Sequence, residues 1–421
     1  MTLSERLLAR LLARSVTRGT LAVTFADGTT RTFGRAEPGF PDAALRLADQ
    51  TVARDIVLDP RLGVGEAYMD GRLAVERGDV MDLVTLMRAN NRWEDRRRLT
   101  PPSLPRKLKG RVSSVARSFN RPGSSRKNVA HHYDIGNDLY RLMLDADHMQ
   151  YSCAYWDTGR YGEGMTLDQA QQAKLAHIAA KLNLKPGVRV LDIGCGWGGM
   201  AIFLTQHAGV EVLGITLSEE QLALARTRAQ EAGVADKARF ELVDYRDLAA
   251  RGATFDRIVS VGMFEHVGVP QFETFFRACA RMLAADGAML IHTIGRMGKP
   301  GRTDAFTDKW IFPGGYIPAL SETVAASEKV RLIATDVETL RLHYARTIRE
   351  WYRRCVQNRE AIVALHDERF YRLWTFYLAG AATSFESGGM CNYQIQYARE
   401  RTALPLTRGY MAQAEKALLS R

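Results

Sequence analysis

The hydrophobic pattern of the chain changes character near residue 128. Before it, Leu21-Ala-Val-Thr-Phe25 alternates as a strand does, Asp27-Gly28 is a turn signal, and Thr30 to Phe33 reads as the returning strand of a hairpin. Gly65 to Met69 and Val80 to Met87 carry helical spacing. At the start, Leu3, Leu7, Leu8, Leu11 and Leu12 are interspersed with Arg6, Arg10 and Arg14. That spacing predicts an amphipathic surface helix, with a membrane-surface helix as the alternative; the arginines break the apolar stretch a signal peptide requires. After residue 128, apolar runs at Val188–Ile193, Val210–Ile215, Phe240–Val243, Phe255–Val261 and Ala288–Ile294 alternate with helical patterns at 198–207, 218–233 and 270–284. Strands alternating with helices imply an α/β fold with a doubly wound, mostly parallel, Rossmann-like sheet. Residues 296–345 lack the rhythm and read as a lid or substrate-binding insertion, and 346–386 as long helices rich in Trp, Tyr and Phe. The expected division is a small N-terminal α/β domain (1–90), a linker or arm (91–127) and a nucleotide-binding domain (128–421). The segment after about 390 has no assignable role.

Charge changes the picture in one place. The chain of 421 residues carries a net charge of +11. Twelve Lys and Arg fall between Arg92 and Lys127 against Glu94 and Asp95, so this stretch alone holds +10. It reads either as a solvated linker or as an arm seeking an anionic surface, lipid headgroups or nucleic acid. No run of eighteen apolar residues is present, so no membrane-spanning helix is expected. The cysteines (Cys153, Cys195, Cys279, Cys355, Cys391) are odd in number and scattered, with no CxxC pair. They argue against a disulfide framework or a zinc site and fit a reducing cytoplasm.

The candidate chemistry begins at Gly194-Cys-Gly-Trp-Gly198, between a strand and a helix. Such a turn lets the backbone approach a ligand at a helix N-terminus. Gly194, Gly196 and Gly198 fit the GxGxG form of methyltransferases; Gly194, Gly196 and Gly199 equally fit the dinucleotide form. Asp192, immediately before the turn, and the absence of an acid at the end of the second strand, where Gly214-Ile-Thr-Leu-Ser218 stands, favour S-adenosylmethionine (AdoMet) over NAD. Thr216, Ser218 and Gln221 are the polar groups at that position.

Longer strings are more specific. His131-His-Tyr-Asp-Ile-Gly-Asn-Asp138, Tyr151-Ser-Cys-Ala-Tyr-Trp156, Val190-Leu-Asp-Ile-Gly-Cys-Gly-Trp-Gly-Gly199, Val261-Gly-Met-Phe-Glu-His-Val-Gly268, His292-Thr-Ile-Gly295 and Ile311-Phe-Pro-Gly-Gly315 occur in that order. Together they resemble the cyclopropane-fatty-acyl-phospholipid synthases and the related mycolic acid cyclopropane synthases, class I AdoMet methyltransferases, over roughly 128–386. Gly65-Glu-Ala-Tyr-Met-Asp-Gly71 resembles the extra N-terminal domain of the bacterial phospholipid enzymes.

The resemblance implies that the AdoMet methyl carbon is added across a cis double bond of a phospholipid acyl chain as a methylene bridge. An alkene is a weak nucleophile, so it must be held in line with the sulfonium in a dry pocket. Aromatic faces can stabilise the resulting carbocation, and a base must remove a proton so that the ring closes. By the same resemblance the base is a bound bicarbonate held by Cys153, Glu265, His292, the backbone of Ile294, and Tyr344. AdoMet would be held by Tyr151, Ser152, Asp192, Gly194, Gly196, Thr216, Leu217, Gln221, Tyr245 and Arg246. Each has a plainer rival: Cys153 as a buried hydrophobe, Glu265 as a helix cap, His292 as a structural histidine, Tyr344 and Tyr245 as packing residues. Some family members carry a proposed catalytic cysteine in the aromatic C-terminal helix; Ala381 stands there in this chain, and the mechanism needs no covalent nucleophile, so Cys391 is not assigned to it.

The resemblance further implies an enzyme at the inner, anionic membrane surface, peripherally bound, with homodimerisation left open and no nucleic-acid partner. Two competing readings remain: methylation of the same double bond without ring closure, and a nucleic-acid methyltransferase docking through the basic arm. The complete proposed base site favours ring closure.

Overall fold

The computed structural model describes residues 1–95 and 136–420. Most of the basic stretch and the string His131 to Ile135 lie outside the described residues. The described chain forms two units, one of residues 1–95, 303–313 and 348–389, the other of residues 136–302, 314–347 and 390–420.

In the first unit, strands β1 (Gly19–Thr24), β2 (Thr30–Arg35), β3 (Asp42–Leu47) and β4 (Leu73–Arg77) form a sheet of order β2-β1-β3-β4. The hairpin expected around Asp27-Gly28 is present: β1 and β2 pair antiparallel, and Gly28 takes φ 83°, a conformation that glycine adopts without strain. Helix Leu3–Ser15 starts with a reciprocal capping box between Thr2 and Glu5 and buries Leu8 and Ala9. Its outward leucines, Leu3 and Leu7, are exposed.

The division does not follow the boundaries read from the sequence. Helices Ala305–Trp310 and Glu368–Glu386 belong with the N-terminal residues, where they pack on helix Pro60–Met69. The physical reason is close approach at Gly65, where an added Cβ would lie 2.5 Å from the Phe306 ring and 2.7 Å from that of Phe376. Lys309 and Trp310 both bond the Glu66 carboxylate, at 2.6 and 3.0 Å.

The second unit carries the seven-stranded sheet, from β5 (Arg189–Ile193), β6 (Glu211–Thr216), β7 (Ala238–Leu242), β8 (Phe255–Val261), β9 (Leu283–Arg296), β10 (Ile333–Leu340) and β11 (Met390–Ala398), in order β10-β11-β9-β8-β5-β6-β7. The pairs β5–β6, β6–β7, β5–β8 and β8–β9 are parallel, and β11 runs antiparallel to both its neighbours. The mostly parallel sheet expected from the strand–helix rhythm is what the chain forms. Two parts of it were not read. β10 lies inside the segment expected to be a lid, and β11 is the segment without an assigned role. β10 is an edge strand with mostly exposed side chains, so its alternation is weak. β11 is buried along nearly its whole length and carries Asn392, Gln394 and Gln396, which mask an apolar pattern.

Helix Leu167–Lys181 also escaped the hydrophobic pattern. It is buried on nearly every side, so it has no amphipathic face. Its Thr166–Gln169 capping box was the legible signal.

Candidate active site

The sequence runs β5, β6, β7 toward one edge of the sheet and then returns to place β8 and β9 on the other side of β5. The strand order therefore reverses at β5, and open α/β sheets bind ligands at the carboxyl ends of the strands at such a point. Asp192 lies near the end of β5 and the glycine turn follows it, Thr216 ends β6, Tyr245 and Arg246 follow β7, Glu265 follows β8, and His292 and Ile294 lie toward the carboxyl end of β9.

The glycine turn is shaped by contacts that exclude side chains. Gly194, Gly196 and Gly198 take φ of 83°, 55° and 81°. A Cβ on Gly194 would press on Met263 at 2.8 Å, and one on Gly198 on Phe240 at 2.8 Å, whereas Gly196 faces open space. Gly196 is therefore the point at which a ligand could approach the backbone. Trp197 is buried, its indole N–H donating to Asn137 at 2.8 Å, and its ring lies 4.9 Å from Tyr140, which in turn lies 5.0 Å from Tyr151. Asp192 is buried, and its Oδ2 has no hydrogen-bond partner. Burial pushes this carboxyl up to about 7, against the pull of the Lys174 ammonium.

At the end of β6 the polar groups form a local relay. Ser218 caps helix Glu219–Glu231 by accepting from the Gln221 N–H, Thr216 Oγ1 accepts from the Ser218 N–H, and the Thr216 hydroxyl donates to Gln221 Oε1 at 2.9 Å. Leu217 is half-buried beside them. After β7, Asp244 caps the next helix and accepts from Arg246 Nε and Nη2 at 2.8 and 2.6 Å. Tyr245 is buried and packs edge-on against Phe275, so much of its ring is committed to the core.

The other half of the edge is built from distant parts of the chain. Glu265 sits in the short 3-10 turn Phe264–His266. Its Oε1 accepts from the Ile294 N–H at 2.5 Å, and its Oε2 is buried without a partner. Burial pushes the carboxyl up to about 7. Neighbouring His266 is pushed down to about 4 by burial. His292 pairs with Val261 across β8 and β9, and its carbonyl accepts from the Gly262 N–H, so the loop carrying Glu265 leaves the sheet beside it. Both His292 ring nitrogens face side-chain amides of β11, Nδ1 at 3.1 Å from Gln394 and Nε2 at 3.3 Å from Asn392. Burial and nearby lysines keep this imidazole neutral.

Cys153 is fully buried, its thiol donating weakly to the Ala154 carbonyl, and burial raises its ionisation well above the usual thiol range. It is a thiol, not a thiolate. Ser152, beside it, is buried and half-buried Tyr151 precedes it. The same segment continues to Trp156, whose backbone N–H donates to His343 Nδ1 at 2.9 Å and whose indole donates to Thr347 at 3.0 Å. Buried Tyr344 lies between those two residues on helix His343–Gln357. The fold thus brings Glu265 onto Ile294 directly, and ties the Cys153 segment to the helix start that bears Tyr344. Sequence reasoning missed Gln171 and Lys174 in helix Leu167–Lys181, Asn392 and Gln394 on β11, and Arg228, which donates to the Trp197 carbonyl at 2.5 Å. Gln171 and Lys174 stand in a helix of mixed polar and apolar residues that gives no sign of their burial, and the others carry no signal either.

Residues 121–395 match the mycolic acid cyclopropane synthetase family, and residues 7–93 match a domain family of unknown function. The chain is 37% identical over 369 residues to the cyclopropane-fatty-acyl-phospholipid synthase of Escherichia coli, covering 87% of this chain and 90% of that protein. It is 33% identical over 415 residues to a tuberculostearic acid methyltransferase of Mycobacterium tuberculosis, covering 93% and 90%. A mycolic acid cyclopropane synthase solved with SAH and CTAB superposes with a TM-score of 0.59 at 33% identity, covering 65% of this chain and 98% of that one. On these matches, and with the class I methyltransferase sheet in place, the chain belongs to the mycolic acid cyclopropane synthetase family.

Proposed function

We propose that this protein transfers a one-carbon unit from AdoMet to the cis double bond of an unsaturated acyl chain in a membrane phospholipid, leaving a cyclopropane ring, S-adenosylhomocysteine and a proton. The observation that carries the reading is Glu265. In a family of AdoMet-dependent lipid enzymes, it is a buried carboxyl with one oxygen anchored by a backbone N–H and the other open. Such a group is suited to hold a proton-accepting partner in a dry site.

The donor fits the residues present. The space above Gly196 admits close approach to the backbone, and the orphaned Asp192 oxygen is an acceptor for the methionine amino group. Thr216, Leu217, Gln221, Tyr151 and Ser152 would line the remainder, with Tyr245 and Arg246 at the adenine end. When bound, AdoMet supplies the methyl carbon as a sulfonium.

A bicarbonate ion fits at Glu265, since it carries both a proton to donate and oxygens to accept, and Glu265 Oε2 is an open buried acceptor. When bound, the ion supplies the base for the proton lost at ring closure. Ile294 N–H is already given to Glu265, so its part is to orient that carboxyl. His292, neutral and flanked by two amides, is a hydrogen-bonding group of fixed orientation. Cys153 and Tyr344 complete the proposed set.

We place the reaction at an anionic membrane surface, the enzyme bound peripherally; among the described residues no helix is long and apolar enough to cross a membrane. A homodimer is compatible with this reading. The test is incubation with AdoMet and vesicles of monounsaturated phosphatidylethanolamine, followed by mass analysis of the fatty esters. Ring closure adds about 14 mass units per chain. A second reading, methylation without ring closure, is favoured by the likeness to the tuberculostearic acid methyltransferase along almost the whole chain. Its direct product has the same added mass but keeps a double bond, so mild hydrogenation of the esters takes it to about 16 and leaves the ring at about 14. Absence of both products would overturn the proposal.

A further inference from the structure

Helix Leu167–Lys181 carries a feature that no step above uses. Lys174 is fully buried at its middle. Its Nζ donates to Gln150 Oε1 at 2.5 Å and to Ser152 Oγ at 2.9 Å. Three residues earlier on the same helix face, Gln171 Nε2 donates to the carbonyls of Gln150 and Ser152, at 3.1 and 3.0 Å. The two side chains thus hold the strip before Cys153 by its main chain and its side chains together. Among the described residues no carboxylate lies within ion-pairing distance of Nζ. An ammonium in that position is expensive to bury, and a packing role would be served more cheaply by Leu or Met. Five ionisable groups lie within its electrostatic reach: His148 and His292, two imidazoles whose protonated form its charge opposes, and Asp145, Cys153 and Asp192. Asp145 is spent on the strip itself, accepting from the N–H groups of His148 and Gln150 at 2.8 and 2.7 Å. Cys153 is a neutral thiol. Asp192 is left, buried, with an oxygen that has no partner and no other cation acting on it.

We propose that Lys174 is the positioning residue of the methyl-donor site: its buried ammonium holds Gln150 and Ser152 in place and supplies the positive charge that favours the ionised form of Asp192, the form that receives the methionine amino group. The inference rests on the AdoMet reading of the site but not on the identity of the lipid. Burial brings the Lys174 ammonium down to about 8, so it is charged at neutral pH and lost in the mildly alkaline range.

The test is AdoMet affinity, by calorimetry without lipid, as a function of pH in the wild-type protein and in Lys174→Met, Lys174→Gln and Lys174→Arg. Removing the charge should weaken AdoMet binding at pH 7 by about tenfold or more and raise the acidic inflection, assigned to Asp192 by its loss in Asp192→Asn, by about one pH unit. Lys174→Arg should leave that inflection where it is and abolish the alkaline weakening, above about pH 8, that the wild type shows beyond the titration of AdoMet itself. If the neutral variants do not fold, the difference between the wild-type and Lys174→Arg alkaline profiles still decides. Affinity and inflection unchanged in the folded neutral variants, or superimposable wild-type and Lys174→Arg alkaline profiles, would overturn the proposal. Wild-type protein that binds AdoMet but makes no lipid product would instead sink the reaction proposed above and leave this inference standing.

Discussion

The two halves of the sheet edge are built in opposite ways. On the side of β5, β6 and β7, most polar groups find partners a few residues away: Thr216 with Gln221, Ser218 with Gln221, Asp244 with Arg246. On the side of β8, β9 and β11, partners are far apart in sequence: Glu265 with Ile294, His292 with Asn392 and Gln394. The local half leaves its backbone open at Gly196. The non-local half is a buried network in which a carboxyl and an imidazole are held in the neutral-leaning state. Low dielectric makes every hydrogen bond in such a network count and every orphan costly. The difference suggests that one half binds and the other performs the proton chemistry, and that the two should be separable by mutation.

The largest expected effect is at Glu265. Glu265→Gln keeps the shape and an acceptor for the Ile294 N–H but removes the acid. It should lower product formation by about 100-fold or more while AdoMet affinity stays within about twofold. Equal loss of both, measured by fatty-ester analysis and calorimetry, would erase the distinction between the halves.

The next effect is on stability. Glu265 and Asp192 both have folded-state ionisation raised to about 7, above the ordinary 4.5 and 3.8. A raised value means the folded state holds the proton more tightly than the unfolded one. Their contribution is therefore full at acid pH below those ordinary values and is lost as pH rises through about 7. The midpoint of thermal unfolding should fall by several degrees between pH 5 and pH 8 on this account. Glu265→Gln and Asp192→Asn should each flatten part of that slope; a slope identical to wild type in both would refute the assignment.

Gly196→Ala sharpens the comparison from the binding side. With φ at 55° the alanine costs about 1–2 kcal/mol of strain, and its methyl enters the space a ligand would use. AdoMet affinity should drop about tenfold, with the pH dependence due to Glu265 unchanged. The smallest effect is expected for Gln394→Leu, which removes the amide facing His292 Nδ1. Loss of one buried hydrogen bond is worth about 1 kcal/mol. Turnover should fall severalfold with AdoMet affinity unaltered; a loss of affinity instead would mean that His292 serves the donor half.

The local half was legible in the sequence because its signals are local. A strand, a glycine turn and a helix start declare themselves within twenty residues. The parallel sheet followed from the alternation of strands and helices, and the hairpin from Asp27-Gly28. Single residues of the other half, Glu265 and His292, were picked out through a resemblance of ordered strings, not through any spacing between them. Their partners were not, because Asn392 and Gln394 reach His292 across a hundred residues of intervening chain on a strand whose polar side chains hide its burial. Lys174 stayed hidden for a related reason: a lysine in a helix reads as solvent-facing, and here nearly every face of the helix is covered.

What the amino-acid order determined by itself was the kind of sheet, the place where the chain turns back through glycines, and the residue types available at each strand end. Periodicity and turn chemistry are properties of neighbours along the chain, so they can be read there. What the tertiary structure decided was which carboxyls lose water, which backbone N–H holds Glu265, that residues 303–313 and 348–389 join the N-terminal unit, and that a buried ammonium lies within reach of Asp192. Those depend on burial and on pairings between distant segments, and the free energy of a charge is set by what surrounds it in space.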